Sequence, residues 1–351
     1  MLLSLPAVDA AIGGGHSTPP MLLFASPVDP LLLLLAAQAL DMVVGDVPVA
    51  FRTVPHPVVL VGRAVAWLDE RLNREWRADG VRRARGILAV AVLVLAAAAI
   101  GAALAVVLRL IRFGWAVEAV VVAVLLAQRS LFDHVAAVRY GLGAGGLVGG
   151  REAVRHIVGR DPQSLDEYGV ARAAIESLAE NFSDGVVGPA LFYALFGLPG
   201  IFVYKTVNTL DSMIGHKTAR YRQFGWAAAR LDDLLNLVPA RFSGMLLAVA
   251  ALALPKAHAG PAFRIMLRDA GKHRSPNAGW PEAATAGALD LALAGPRRYL
   301  GELVNDPWLG DGRARATVAD IARALRLYVI ACVLLGAVVL AAFLARNGIR
   351  F

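Results

Sequence analysis

The sequence predicts an all-α, polytopic integral membrane bundle, and three observations predict it. Hydrophobic residues make up 58% of the 351 residues, and the mean hydropathy is +0.59. Soluble domains are nearer half apolar and carry more charge. Several apolar runs approach or pass the roughly 18 residues that mark a membrane span. Long Ala/Leu/Val runs dominate, with little of the period-2 alternation that marks strands.

Each element follows in order. Residues 1–20 have no basic start and no long apolar core, so they make a poor signal peptide. Gly13-Gly14-Gly15, Ser17 and Pro19-Pro20 predict a disordered extension over residues 1–27. Met21 is an alternative start. Residues 28–345 then form one membrane-embedded domain, with no linker or internal repeat. Pro30–Val44 is a short apolar run carrying Asp41. Residues 67–85 mix acids and bases, as an exposed amphipathic helix does. Residues 86–108 are apolar and uncharged throughout, and residues 113–127 carry Glu118. Residues 166–181 read as a helix with Glu176 and Glu180 one turn apart. Residues 186–204 are apolar but hold two prolines and three glycines. Residues 242–254 are too short to span unless extended. Residues 327–344 are nearly as clear a span as 86–108.

The net charge is +8 and the sequence pI about 10.0. The arginines sit in loops beside apolar runs, where they set orientation rather than bind nucleic acid. Anionic membrane lipid is the incidental partner such loops imply. The single cysteine, Cys332, excludes an intrachain disulfide and a Cys-rich metal site.

Residues 1–29 hold no Lys or Arg, whereas residues 45–85 hold eight Arg. The positive-inside rule therefore puts the N-terminus outside and 45–85 in the cytoplasm. Residues 186–204 and 242–254 are expected as re-entrant or half-buried helices, which protein cover makes tolerable. That keeps every motif loop cytoplasmic, with four to six full crossings.

Ionisable groups cluster beside these apolar runs, where each is costly unless paired or functional. Asp41 to Asp46, followed by the prolyl segment Pro55-His56-Pro57 to Arg63, predicts a rigid entrance loop. A helix stop with a solvated Asp is the plainer alternative. Glu180, Asn181 and Asp184 are hard oxygen donors suited to Mg²⁺, or else a network at a helix end. Lys205, Asn208 and Asp211/Ser212 share a helix face, and Gly215 is placed to end that helix. His216, Lys217, Arg220 and Arg222 then form a cationic loop able to neutralise phosphate. Lys272-His273-Arg274 precede a turn and a helix opened by Glu282, whose first N–H groups favour anions. Trp308 to Gly312 is a Gly-rich loop with one acid. No Walker A, HExxH or GxSxG pattern occurs.

The motifs LDMVVGD, PHPVVLVGR, ESLAENFSDGVVGPALFYALFG, YKTVNTLDSMIGHKTARYRQFGWAAARLDDLLNLVPAR, HRSPNAGWPEAATAGAL and PWLGDG stand in this order. In them the chain resembles the CobD/CbiB family, adenosylcobinamide-phosphate synthases of cobalamin biosynthesis, over residues 31 to 327. Phe182-Ser183 and His216 depart mildly from the family pattern. The resemblance implies ATP- and Mg²⁺-dependent amide formation between adenosylcobyric acid, a corrinoid, and (R)-1-amino-2-propanol phosphate or a related amino alcohol. It implies a multi-pass inner-membrane enzyme, as a homo-oligomer or beside other late cobalamin-pathway membrane enzymes. On that reading Glu180, Asp184, Asp211 and Asp232 are the metal candidates. Lys205, Lys217, Arg220, Lys272 and Arg274 are the phosphate candidates. Asp211, Asp233 and His273 are catalytic candidates, the last two as bases for the amine. Asp46, His56, Asn181, Asn208, Asn277, Trp280 and Glu282 are expected to touch substrate. The rival readings are an AmpE-like signalling protein and an ion-coupled transporter. The Asn-Thr-Leu-Asp and Pro-Asn-Ala-Gly-Trp-Pro elements weigh against the first, and the lack of a repeat against the second.

Overall fold

The computed structural model describes residues 28–45, 55–158, 161–299 and 302–348. The expected N-terminal extension and Asp46 lie outside these. Among the described residues the chain is almost wholly helical. Its helices are α1 (Pro30–Val44), α2 (Pro57–Leu72), α3 (Asp79–Leu110), α4 (Gly114–Leu125), α5 (Gln128–Val154) and α6 (Glu167–Asn181). They continue with α7 (Gly188–Ile214), α8 (Trp226–Leu235), α9 (Leu237–Ala250), α10 (Ala259–Asp269), α11 (Gly279–Leu289) and α12 (Val318–Arg346). Two short antiparallel pairs intervene before α12. Strand β1 (Leu293–Ala294) pairs with β4 (Trp308–Leu309), and β2 (Arg297–Tyr299) with β3 (Glu302–Val304).

Four helical stretches are long and apolar enough to cross a membrane: Asp79–Leu110, Gly114–Val154, Glu167–Ile214 and Val318–Arg346. A fifth is added if α8 and α9, bent by 47°, count as one. The chain is thus built as a multi-pass membrane protein.

The expected helix over 67–85 is broken. Helix α2 stops at Asn73, whose backbone N–H bonds the Asp69 carbonyl, and α3 starts at Asp79. The Asn73 side chain is drawn into a buried hydrogen-bond network there.

Helix α7 folds back on itself. Gly197 takes φ 64° and ψ −151°, a conformation that glycine reaches without strain, and Pro199 follows. The arms then pack antiparallel: the Phe192 and Tyr204 rings lie 5.0 Å apart. A straight helix would separate these two residues by about 18 Å. Gly188 lies against the Tyr204 hydroxyl and Gly200 against the Phe192 carbonyl, with no room for a side chain at either glycine. Residues 186–204 are therefore a helical hairpin, the shape that a re-entrant segment would take. Helix α5 does the same at Gly146, φ 57°, bringing Gly141 and Gly149 together.

Helix α3 gauges the hairpin's depth. Gly86 abuts the Phe224 carbonyl, and Gly101 abuts Leu198 and Pro199 at the hairpin tip. Fifteen residues of helix separate the two contacts, about 22 Å of rise.

Two large buried clusters hold the bundle, beside a small one of Ile265, Ala283, Ala294 and Leu309. The larger joins α1, α4, α5, α6, α9 and α12. The second contains Val65, Ala89, Val90, Leu210, Ile214, Phe224 and Ala228 and anchors the segment between α7 and α8.

Candidate active site

The site is built at the mouth of the α7 hairpin. A single π-helical turn, Phe182–Val187, joins α6 to α7 and carries Asp184. The turn diverts the Gly185 carbonyl from the helix ladder to the N–H of Ala127, at 3.1 Å. Such turns recur at functional sites. The return arm brings Lys205, Asn208 and Asp211 back to the same end. Asp184 comes within electrostatic reach of Glu180, Lys205, Asp211 and Asp232.

The return arm also fixes α8. The Tyr204 hydroxyl donates to Asn236 Oδ1 at 2.6 Å, and Asn236 Nδ2 donates to Asp232 Oδ2 at 3.0 Å. The Asn208 side chain bonds the same carboxylate. Asp211 lies within reach of Asp233 and His216, and Asp233 within reach of Lys217. Gly215 does end the helix: its N–H bonds the Asp211 carbonyl at 2.7 Å. Any side chain there would strike the Asp211 carboxylate. Five acids and two lysines, spread over 54 residues of sequence, are therefore linked by a chain of electrostatic neighbours.

The loop between α10 and α11 is tied to these groups through Asn277. Its Nδ2 donates to the Asp233 carbonyl at 2.8 Å, and the residue is buried. The basic triplet beside it is engaged elsewhere. Lys272 pairs with Asp269 at 2.6 Å, and Arg274 pairs with Asp306 at 2.6 Å. Asp269 is fully buried and also receives Arg268 twice at 2.7 Å and the Gly310 N–H at 2.9 Å. The Arg268 guanidinium, then Lys272 and that N–H, hold its carboxyl far below the usual carboxylate range. This is a knot that ties the 270–278 loop to the 306–311 segment rather than an open phosphate cradle.

The His273 ring is oriented by its Nδ1, which accepts the Ser275 N–H at 3.1 Å, while Nε2 stands 3.8 Å from Glu282 Oε1, too far for a hydrogen bond. His56 has a similar duty, with Nδ1 accepting from Val58 N–H and Nε2 meeting the Val124 carbonyl, each at 3.2 Å. It pins α2 to α4. Arg220 pairs with Asp69 at 2.6 Å, on the far side of its loop. Trp280 stacks under the Arg241 guanidinium at 4.5 Å. Glu180 and Asn181 are exposed at the rim, where Asn181 Nδ2 donates to the Ser177 carbonyl at 2.9 Å.

Tyr204 and Asn236 escape a reading for charged motifs, although Asn236 stands four residues after Asp232, one helical turn away. The donor set, carboxylates with amides, suits a hard divalent cation. Among the described residues, no three His, Cys, Asp or Glu side chains stand together as a ready-made metal cage.

A family model described as CobD/Cbib protein matches residues 34–328. A Sinorhizobium sp protein named "Cobalamin biosynthesis protein CobD" is 54% identical over 314 residues, 89% of this chain and 97% of its own length. Proteins of the same name from Rhizobium meliloti (strain 1021) and Rhodobacter capsulatus are 52% and 48% identical. They cover 86% and 84% of this chain, and 93% and 92% of their own lengths. No solved structure matches.

Proposed function

Because the chain belongs to the CobD/CbiB family of cobalamin biosynthesis proteins, we propose that it is an adenosylcobinamide-phosphate synthase. It joins a propionate carboxylate of adenosylcobyric acid to the amine of (R)-1-amino-2-propanol phosphate, using ATP, at the cytoplasmic face of the inner membrane. The observation that carries this reading is the meeting of Asp184, Asp211, Asp232 and Asp233 with Lys205 and Lys217 at the hairpin mouth.

A carboxylate does not acylate an amine at neutral pH without activation. In the proposed reaction a propionate oxygen attacks the γ-phosphorus of ATP, and ADP leaves. The amine nitrogen then attacks the acyl carbon, loses a proton and expels inorganic phosphate. Phosphoryl transfer needs alignment and charge stabilisation more than covalent help. Asp184, Asp211 and Asp232, with Glu180 at the rim, would hold Mg²⁺, which keeps several waters and shares substrate phosphates, so a full protein cage is unnecessary. When bound, Mg²⁺ would offset the charge of the nucleotide. Lys205 sits beside Asp184 in the hairpin and would face the transferred phosphate. Lys217 is exposed and would take the phosphate of the amine. Asp233, within reach of Lys217 and with its carbonyl held by Asn277, would accept the amine proton.

The test is purified protein in lipid, given adenosylcobyric acid, ATP, Mg²⁺ and either the phosphorylated or the free amino alcohol. Adenosylcobinamide phosphate should form with one ADP per amide. If no amide forms with either amine, the reading is wrong.

A further inference from the structure

Arg220 is held at both ends. Its carbonyl accepts from Asn73 Nδ2 at 3.1 Å and from the Arg82 guanidinium. Its own guanidinium donates to Asp69 Oδ2 at 2.6 Å, and Tyr221 OH reaches the same oxygen at 3.4 Å. Asp69, Asn73 and Arg82 are buried and bonded to one another: Asn73 Nδ2 to Asp69 Oδ1 at 2.8 Å, and Arg82 Nε to Asn73 Oδ1 at 3.0 Å. Glu75 stands 3.6 Å from Arg220, so two acids balance two arginines. Two buried side chains from the α2–α3 corner thus grip one backbone carbonyl of the loop that carries Lys217. A buried ionic network is a weak source of stability, and its best-attested use is to fix register.

We infer that Asp69, Asn73, Arg82 and Arg220 form a brace that positions Lys217 opposite Asp233, and that Arg220 is a positioning residue rather than a phosphate ligand. The kinetic part of this inference rests on the proposed synthase reading. Phe224, fully buried against Gly86, closes the same segment four residues on. On the other side, Gly215 caps α7 through the Asp211 carbonyl at 2.7 Å, so exposed Lys217 lies between that cap and the gripped Arg220 and has little backbone freedom.

A double-mutant cycle on the purified full-length protein tests it, with aminopropanol phosphate as substrate. Arg220→Ala should lower kcat/KM about tenfold, the size of one charge-assisted contact. In a Lys217→Ala background the same change should cost less than about twofold, because residues acting as a unit are not additive. Arg220→Lys, which can still pair with Asp69, should recover most of the loss. Independent multiplicative losses in the double variant would make Arg220 a phosphate ligand in its own right and overturn the inference. Hydrogen exchange gives a second arm that needs no activity. The amides of 216–223 should exchange faster in Arg220→Ala, while those of α5 and α12 stay protected. Unchanged exchange in that loop would remove the brace even if the enzyme reading holds. If wild-type protein makes no product but the loop loosens, the enzyme reading alone has failed. Arg220 is about two-fifths exposed, so its truncation leaves no buried cavity.

Discussion

A Cβ on Gly101 would stand 2.7 Å from the Cα of Pro199. The middle of α3 and the tip of the α7 hairpin therefore meet backbone against backbone. Small residues allow such close approach between helices in a membrane, where packing rather than burial drives association. The contact matters for chemistry because the hairpin's two arms carry Asp184 and Asp211. Moving the tip moves both acids.

Gly101→Val should therefore destabilise the protein by about 1–3 kcal/mol, the usual cost of overpacking, and lower turnover. Gly80→Val, at the exposed start of α3 with nothing within 4 Å, serves as the control. Thermal unfolding in detergent measures the difference. Equal melting temperatures for the two variants would contradict the close contact.

Asp211 should be indispensable for turnover and dispensable for folding. It faces His216 and the other acids across the site and is only half-buried. Asp211→Asn keeps the shape and removes the charge, and should cut kcat by about 10²-fold or more. Its circular dichroism and melting should match wild type. Activity within a few fold of wild type would take Asp211 out of the site.

Much of this was legible in the chain. The glycines and prolines of 186–204 mark a broken apolar run, and the reversal at Gly197 is what they encode. The spacing of Lys205, Asn208 and Asp211 gives a helix face, and that face lines the site. Pairing was not legible. Lys272, Arg274 and Arg220 look like open cations in a list of residues, yet each meets an acid from elsewhere: Asp269, Asp306 and Asp69. Two of those three acids are 32 or more residues away, and periodicity carries no information about such contacts. His273 reads as a base by residue type, whereas its ring is turned by the Ser275 N–H on Nδ1. The broken helix at 73–78 was hidden for the same reason, since Asn73 leaves α2 to join a tertiary network.

Acid should loosen the knot at Asp269. Its carboxyl is held below the ordinary range, chiefly by the Arg268 guanidinium. A depressed folded pKa means the added stability is present above the unfolded value, roughly 3.9. It is lost as pH falls through the folded one. Asp269→Asn should lower the melting temperature at neutral pH and flatten its fall toward about pH 3. Parallel curves for wild type and variant across that range would show that Asp269 is not the titrating tie.

Topology gives a prediction independent of chemistry. Helix α3 should run outward from the cytoplasm, so Ile111, half exposed at its far end, should face out. Ala219, in the Lys217 loop, is exposed and should face in. The buried Cys332 can be replaced by Ala to give a thiol-free background. In intact cells an impermeant thiol reagent should label Ile111→Cys and spare Ala219→Cys. Labelling at Ala219→Cys from outside would mean that the hairpin crosses the bilayer instead of turning back.

Lys217 should read the phosphate of the amine. It is exposed, it lies within electrostatic reach of Asp233, and it makes no ion pair within 4 Å among the described residues, unlike Arg220, Lys272 and Arg274. A charge-assisted contact to phosphate is worth about 1.5–3 kcal/mol, so losing it should lower kcat/KM about ten- to a hundredfold. Substrate choice separates the duties this lysine could have. If Lys217 grips the amine's phosphate, Lys217→Ala should impair aminopropanol phosphate by that factor and leave free aminopropanol within about twofold. If it grips ATP instead, both amines should suffer equally and the KM for ATP should rise. A third outcome, wild-type kinetics with both, would make it an anchor at the lipid surface, a common role for bases beside spans. Steady-state kinetics with each amine, at saturating and at limiting ATP, distinguish all three.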